Sequence, residues 1–234
     1  MTCLLLHLSG PMQSWGTQSR FSNRDTGKEP SKSGVIGLLC AAMGRDRKQP
    51  LDDLTGLKMG VRVDREGVFS RDYHTAGGGK INGQNYGVIK ASGGKGETVV
   101  SHRDYLSDAE FYVALEGDID LLRKLHKALH EPVWPLYLGR KAFVPELPLC
   151  CGMKEGSIVE ILRQIPWRIR HRKKEKPENL RLVLECGYGE GATRMDIPRS
   201  FDIFDRRYDP RYVKTDRCPI PEIRKEIEPC SSPD

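Results

Sequence analysis

Residues 3–8, CLLLHL, form a short apolar run closed by Ser9-Gly10-Pro11. A run of that length between turn residues specifies a buried strand. A polar stretch follows, and then Ser31 or Ser33 can cap a helix in which Val35, Ile36, Leu38, Leu39 and Met43 recur at helical spacing. Gly44 stops that helix. The chain therefore opens strand, long loop, helix. The loop delivers Gln13, Trp15, Arg20, Arg24 and Lys28 to the helix N-terminus. Free amides and a partial positive charge at that end suit a phosphate. An ordinary strand–helix unit with a solvated loop would carry the same pattern.

The rest of the first 150 residues continues as alternating elements. Lys58 to Asp64 places Met59, Val61 and Val63 on one face of a strand. Asp64-Arg65-Glu66-Gly67 turns into a second strand, Val68 to His74. Residues 76–96, AGGGKINGQNYGVIKASGGKG, are dense in glycine and lack acids, and Lys80, Lys90 and Lys95 supply charge. Such a segment has no core of its own. Tyr86 to Ile89 can pair as a ribbon, or the whole segment can be a surface insertion. Val99 to Tyr105 and Glu110 to Glu116 resume strand character. Asp118 then caps a helix over Ile119 to His130 with Leu121, Leu122, Leu125 and Leu129 on one stripe. This order is compatible with an α+β, ferredoxin-like fold, which also underlies RNA-recognition modules.

The remainder is less regular. Pro135 to Cys151 is extended and proline-rich. Gly156 to Ile165 fits a short amphipathic helix. Leu180 to Cys186 and Thr193 to Ile197 read as a strand pair. Asp216 to Asp234 holds four prolines and reads as a tail. The expected organisation is a palm over 1–150 with an insertion near 76–98, a C-terminal region over 151–215 completing or packing on it, and the tail.

The chain of 234 residues carries a net charge of +6, which favours a polyanionic partner through steering and counterion release. No apolar run can span a bilayer and no basic segment precedes the first one, so a cytoplasmic protein without membrane contact is expected. Seven cysteines, an odd number, include no C-x-x-C pair, which argues against a disulfide framework and a zinc ribbon. His126 and His130 sit four apart on one helix, but no glutamate follows His126, so the metalloprotease pattern fails. They read as a solvated face near a helix C-terminus. No metal and no cofactor is expected. Gly34 to Gly37 lacks the ending of a P-loop.

Three segments carry a resemblance. They are Gly10-Pro11-Met12-Gln13-Ser14-Trp15-Gly16 with Pro30 to Leu39, then Arg71-Asp72-Tyr73-His74-Thr75, then Pro135-Leu136-Tyr137-Leu138-Gly139-Arg140-Lys141. In that order they resemble the CasD family, the subunits that cap the 5′ handle of the guide RNA in type I-E CRISPR Cascade. The resemblance implies a ferredoxin-like palm with a glycine-rich β-hairpin thumb, and a non-catalytic subunit that ends the backbone filament. Its implied partners are CRISPR RNA, the backbone subunit CasC and the large subunit CasA, with possible contact to target DNA.

Site residues follow from both readings. Gln13, Trp15, Arg20, Lys32 and Ser33 are expected on RNA around the first helix, with Lys32 or the amides near Ser33 on a phosphate. Tyr73, His74, His102 and Arg103 flank the insertion and come together if its ends meet. A histidine, a tyrosine and a cation beside a ribose 2′-hydroxyl can cleave RNA without metal, so a metal-independent endoribonuclease is the alternative. Resemblance to the type I-E member favours binding. Lys80, Tyr86 and Lys90 on the insertion, and Arg140 and Lys141 after Gly139, complete the expected RNA contacts. The basic run from Arg168 to Lys176 fits a phosphate-contacting loop or a solvated one. Arg206, Arg207 and Arg211, interleaved with Tyr208 and Tyr212, suit single-stranded RNA or a protein partner.

Overall fold

The first apolar run forms a strand buried on both sides, and this fixes the layers. The computed structural model describes residues 1–19, 22–89, 94, 96, 98–167 and 177–221. In chain order it opens with β1 (Thr2–Ser9), β2 (Met12–Gln13), β3 (Asn23–Arg24), α1 (Lys32–Met43) and α2 (Asp52–Thr55). Next come β4 (Lys58–Arg65), β5 (Val68–Ala76), β6 (Lys80–Ile81), β7 (Gln84–Asn85), β8 (Val99–Ser107), β9 (Glu110–Glu116) and α3 (Ile119–His130). The last part holds β10 (Cys150–Glu155), α4 (Ile158–Gln164), β11 (Asn179–Cys186), β12 (Ala192–Ser200) and β13 (Arg207–Pro219).

The architecture is mixed α+β around a seven-stranded sheet in the order β10-β1-β9-β4-β11-β13-β12. Every neighbouring pair in it is antiparallel. Leu4, Leu6 and Leu8 face one side, where Ile36 and Leu39 of α1 and Leu122, Leu125 and Leu129 of α3 cover them. Cys3 and Leu5 face the other side, against Ile161 and Leu162 of α4. A strand sandwiched in this way reads as a continuous apolar run rather than an alternation.

Both crossover helices carry the caps expected. Ser31 accepts from the Gly34 amide at the start of α1, and Gly44 ends it in the left-handed conformation, φ 68°. Asp118 caps α3 by accepting from the amides of Asp120 and Leu121. On the opposite face Arg62, fully buried, donates to both oxygens of Asp64 at 2.6 and 2.8 Å. Its third nitrogen caps α4 by donating to the carbonyls of Leu162 and Ile165 at 2.7 and 2.6 Å. Burial pushes the Asp64 carboxyl up, and the adjoining Arg62 opposes that shift.

A second sheet stands beside this one. β5 and β8 pair from Val68↔Ser107 to Ala76↔Val99, while β2 and β3 add short stretches to β8. The glycine-rich segment is thus the far end of a long hairpin. Its described part forms the small ribbon β6–β7, and the Tyr86–Ile89 stretch continues the pairing: Tyr86 exchanges backbone hydrogen bonds with Gly78 and Gly79, and the Val88 carbonyl accepts from the Gly96 amide.

Two expectations for the C-terminal part are corrected. β11 and β12 do not pair with each other, because β13 lies between them. Asp216 to Pro219 are not tail but the end of β13. β13 escapes apolar periodicity because a charged residue, Arg211, occupies an inward position, and Pro210 sits beside it.

Arg211 is tolerated there because it belongs to a buried ionic network. It donates to both oxygens of Asp196, at 2.6 and 2.9 Å. A bulge between Met195 and Ile197 leaves Asp196 out of the ladder and free to turn inward. Asp196 also accepts from the Lys32 amide at 2.9 Å, while the Lys32 ammonium donates to Glu185 at 2.8 Å. Glu185 accepts from the Met59 amide as well. The network ties the start of α1 to β4, β11, β12 and β13. Removing one partner of a buried ion pair leaves an uncompensated charge and costs about 3–5 kcal/mol. Asp196→Ala is therefore expected to destabilise the protein by that amount in urea unfolding. A loss under about 1 kcal/mol, the scale of an exposed pair, would show the network to be incidental.

Candidate nucleic-acid interface

The residues expected around the first helix divide into a floor and a wall. Gln13 is fully buried: its amide donates to the carbonyls of Leu8 and Ala109 and its oxygen accepts from the Trp15 indole. Trp15, 1 % exposed, lies so close over Gly34 that an added Cβ there would sit 2.8 Å from the ring. Lys32 is held inside by Glu185. These side chains are buried and their polar atoms are satisfied within the protein, and of the three Trp15 still borders the cleft described next. The carboxylate of Asp196 also takes the Lys32 amide, a first-turn donor of α1 that a phosphate would need. Ser33, half-buried, is the residue of this group that faces outward.

It faces a cleft of about 620 Å³. Six arginines line the cleft: Arg24, Arg45, Arg47, Arg103, Arg140 and Arg206, with Asp25 as the acid among them. Asp25 is spent on its own loop, accepting from the amides of Thr17 and Gln18 and from the Ser19 hydroxyl. Arg45 is clamped by Asp53 at 2.6 and 2.7 Å, which raises the guanidinium pKa and lowers that of the carboxyl. Arg24, Arg47 and Arg206 have no carboxylate within ion-pair distance among the described residues. Trp134, Tyr137, Phe201 and Tyr208 complete the lining.

Gly139 sets the position of Arg140. Its φ is 91°, and a Cβ on it would fall 1.8 Å from the Ser14 carbonyl oxygen. The close approach that this glycine allows is to the loop after β2, which also gives the Ser14 amide to the Leu138 carbonyl at 3.0 Å. The turn brings Arg140 beneath the hairpin, where it donates to the Asp104 carbonyl at 2.8 Å and lies over the Phe143 ring. Burial lowers the Arg140 pKa, and the neighbouring Arg103 and Arg24 lower it further, against Asp72 and Asp104. A cation pressed against other cations in this way is relieved by an incoming anion. Lys141 is exposed and outside the lining.

The hairpin brings its two pairs together. Tyr73 stands opposite His102, their rings 5.5 Å apart and edge to face. His74 pairs with Ser101 and Asp72 with Arg103. Because side chains alternate, Tyr73 and His102 share one face while His74 and Arg103 share the other. Lys80 and Tyr86 are exposed at the hairpin's end, away from the cleft lining. Arg20, Lys90 and the run from Arg168 to Lys176 lie outside the described residues.

Sequence reasoning left Arg45, Arg47, Trp134 and Phe201 out of the site. Arg45 and Arg47 follow Gly44 immediately, and a basic cluster just past a helix stop was the available signal. Trp134 is placed by its amide, which donates to the Ala41 carbonyl at the end of α1. That link joins residues 93 positions apart and has no local signature.

Comparison with known proteins accounts for this combination. A family model described as CRISPR-associated protein (Cas_Cas5) matches residues 3–214. The chain belongs to the Cas5 family of CRISPR-associated proteins. It is 36 % identical over 168 residues to the CRISPR system Cascade subunit CasD of Escherichia coli (strain K12), covering 66 % of this chain and 72 % of that protein. A chain of a solved CRISPR RNA-guided surveillance complex is 38 % identical and superposes with a TM-score of 0.82, over 94 % of this chain and 91 % of that one. A second structure, solved as a Cas protein, is 40 % identical with a TM-score of 0.71, over 94 % and 98 % of the two chains. The three segments quoted above for the CasD resemblance are, in the structure, the cleft's floor, the hairpin and the turn that carries Arg140.

Gly139→Ala tests whether that turn is constrained as described. Backbone strain alone should cost about 1–3 kcal/mol, with the Ser14 contact adding to it. Thermal unfolding of Gly152→Ala, where φ is also positive but nothing lies within 4 Å, isolates the strain component. Equal losses at the two positions would contradict a close approach at Gly139.

Proposed function

We propose that this chain is the non-catalytic, CRISPR RNA-binding subunit of a type I-E Cascade complex, holding the 5′ handle of the guide RNA and ending the backbone filament. The observation that carries this reading is the arginine cleft with its aromatic walls. Unpaired guanidiniums suit phosphates, and aromatic faces suit unstacked bases, which is how single-stranded RNA is held. The similarity to CasD and to a chain of an RNA-guided surveillance complex supports the assignment.

The sheet order β10-β1-β9-β4, with α1 and α3 as crossovers, supports a ferredoxin-like palm that takes in residues 1–150 and the rest of β10, to Glu155. β11 pairs with β4, which supports the region over 151–215 as its completion. The hairpin β5–β8 with its glycine-rich end supports the thumb. Its exposed Tyr86, Val88 and Ile89 would wedge against a base or a neighbouring subunit. CasC, CasA and guide RNA are the partners proposed, with target DNA passing nearby, in a cytoplasmic ribonucleoprotein without cofactor or membrane contact. Among the described residues no helix is long and apolar enough to cross a membrane.

The endoribonuclease alternative needs an acid and a base on one ribose. His74 and His102 project to opposite faces of the hairpin, so the two histidines do not form one acid–base pair, whereas Tyr73 and His102 share a face, and the cleavage assay decides what they do. Wild-type protein incubated with repeat RNA in EDTA is expected to leave it intact. Specific cleavage that disappears in His74→Ala or His102→Ala would establish the ribonuclease instead.

Two further outcomes test the site. Each phosphate contact to single-stranded RNA contributes about −0.7 to the slope of log affinity against log salt. Arg24→Ala with Arg206→Ala should flatten the slope for handle RNA by about 1.4 in fluorescence anisotropy; an unchanged slope would remove these arginines from the interface. Replacing residues 80–95 with a short Gly-Ser linker should leave circular dichroism and unfolding of the palm unchanged yet impair assembly on guide RNA. Normal assembly would make the glycine-rich segment a dispensable loop.

A further inference from the structure

The sequence treats His126 and His130 as a solvated pair, and the fold gives them a third member. α3 packs on the face of the sheet formed by β1 and β10, and Cys150 begins β10 opposite Leu6. Its side chain belongs to the same core as Leu125 and Leu129 of α3. One ring nitrogen of His126, one of His130 and the Cys150 sulfur all lie within 4.8 Å of one another.

We propose that His126, His130 and Cys150 form a binding site for a zinc-class divalent cation, clamping the end of α3 to the start of β10. Two imidazoles and a thiolate are a donor set that zinc takes in tetrahedral geometry, with a fourth position left for water or an incoming group. Bond lengths of about 2.0–2.3 Å put tetrahedral ligand atoms roughly 3.3–3.6 Å apart. The observed set closes to that geometry by side-chain rotation, because one residue is exposed and a second half-buried.

Three features favour a cation here. His130 Nδ1 lies 2.8 Å from the His126 carbonyl oxygen. With Nδ1 donating, Nε2 carries the free lone pair; a hydrogen bond of this kind is what fixes a ligating imidazole's tautomer and orientation. The set stands on the last turns of α3, where the helix's C-terminal partial negative charge favours a cation. The exposed His130 gives an entry path, while Cys150 is buried among apolar side chains. A buried cysteine meets a metal as its neutral thiol. Binding therefore breaks its S–H bond, forms the metal–sulfur bond and releases one proton to solvent. The site is independent of the arginine cleft, whose lining contains none of the three residues.

Cobalt(II) is the probe. Full-length protein, reduced and stripped with chelator, is titrated with cobalt(II) and then zinc(II). One equivalent is expected to produce a thiolate-to-cobalt charge-transfer band and visible bands of tetrahedral intensity, both removed by zinc. Cys150→Ala should abolish the charge-transfer band, and Cys186→Ala, in β11, should leave it intact. His130→Gln is an exposed change that leaves the core untouched. It should weaken binding by more than the ~10–100-fold that loss of a mere orienting contact causes. Zinc should raise the thermal midpoint of wild type but not of His130→Gln. Absence of a charge-transfer band at one equivalent, its persistence in Cys150→Ala, or unchanged affinity in His130→Gln would each overturn the site.

Discussion

The cleft depends on three buried charges and a half-buried fourth. Lys32, Glu185, Asp196 and Arg211 come from α1, β11, β12 and β13, and they meet beneath the helix N-terminus. Buried ions are stable only when each finds its counterpart with good geometry. That requirement fixes where the C-terminal strands dock relative to the first helix. It also neutralises the helix start from within, so the cleft's positive potential comes from the arginines on its walls and not from the helix dipole. The floor is closed by Trp15 on Gly34 and by Gln13, whose amide bridges β1 to the loop before β9.

Above that floor the six arginines are spaced by elements that have no other reason to converge. Arg24 arrives on β3, Arg103 on β8, Arg140 on a turn that needs Gly139, Arg45 and Arg47 past the end of α1, and Arg206 just before β13. Mutual repulsion among them is a cost in the free protein: the Arg140 pKa is lowered first by burial and then by the neighbouring Arg103 and Arg24. A polyanion removes that cost, so the same arrangement that weakens the isolated chain strengthens its complex. The hairpin β5–β8 rises from this wall and carries an end that is rich in glycine, on which Tyr86, Val88 and Ile89 are exposed.

Much of the architecture was legible in the sequence. The caps Ser31, Gly44 and Asp118, the apolar stripe of α3 and the faces of β4 all rest on local chemistry, and the structure has them where the pattern puts them. β13 was not legible, because an arginine replaces an apolar residue at an inward position and its counter-ions are 15 and 26 residues away in sequence. The same limit affected the site. Gln13, Trp15 and Lys32 have the side chains of ligand-binding residues, and only their tertiary partners, Leu8, Ala109 and Glu185, reveal them as interior. Arg140 and Arg103 border the cleft, and both were named from the sequence, Arg140 from the Pro135–Lys141 motif shared with the family and Arg103 from its place at the end of the glycine-rich insertion. Trp134 and Phe201 join the wall through contacts that no local signal announces. Cys150 likewise meets His126 and His130 only through the pairing of β10 with β1.

Photocrosslinking of guide RNA, bearing photoreactive bases in its 5′ handle, to the assembled complex tests the central claim most directly. The account predicts crosslinked peptides of this subunit at the cleft's aromatic walls, Trp134, Tyr137 and Tyr208. Crosslinks confined to other surfaces of the subunit, such as the exposed Tyr188 turn, with none from the cleft, would contradict it.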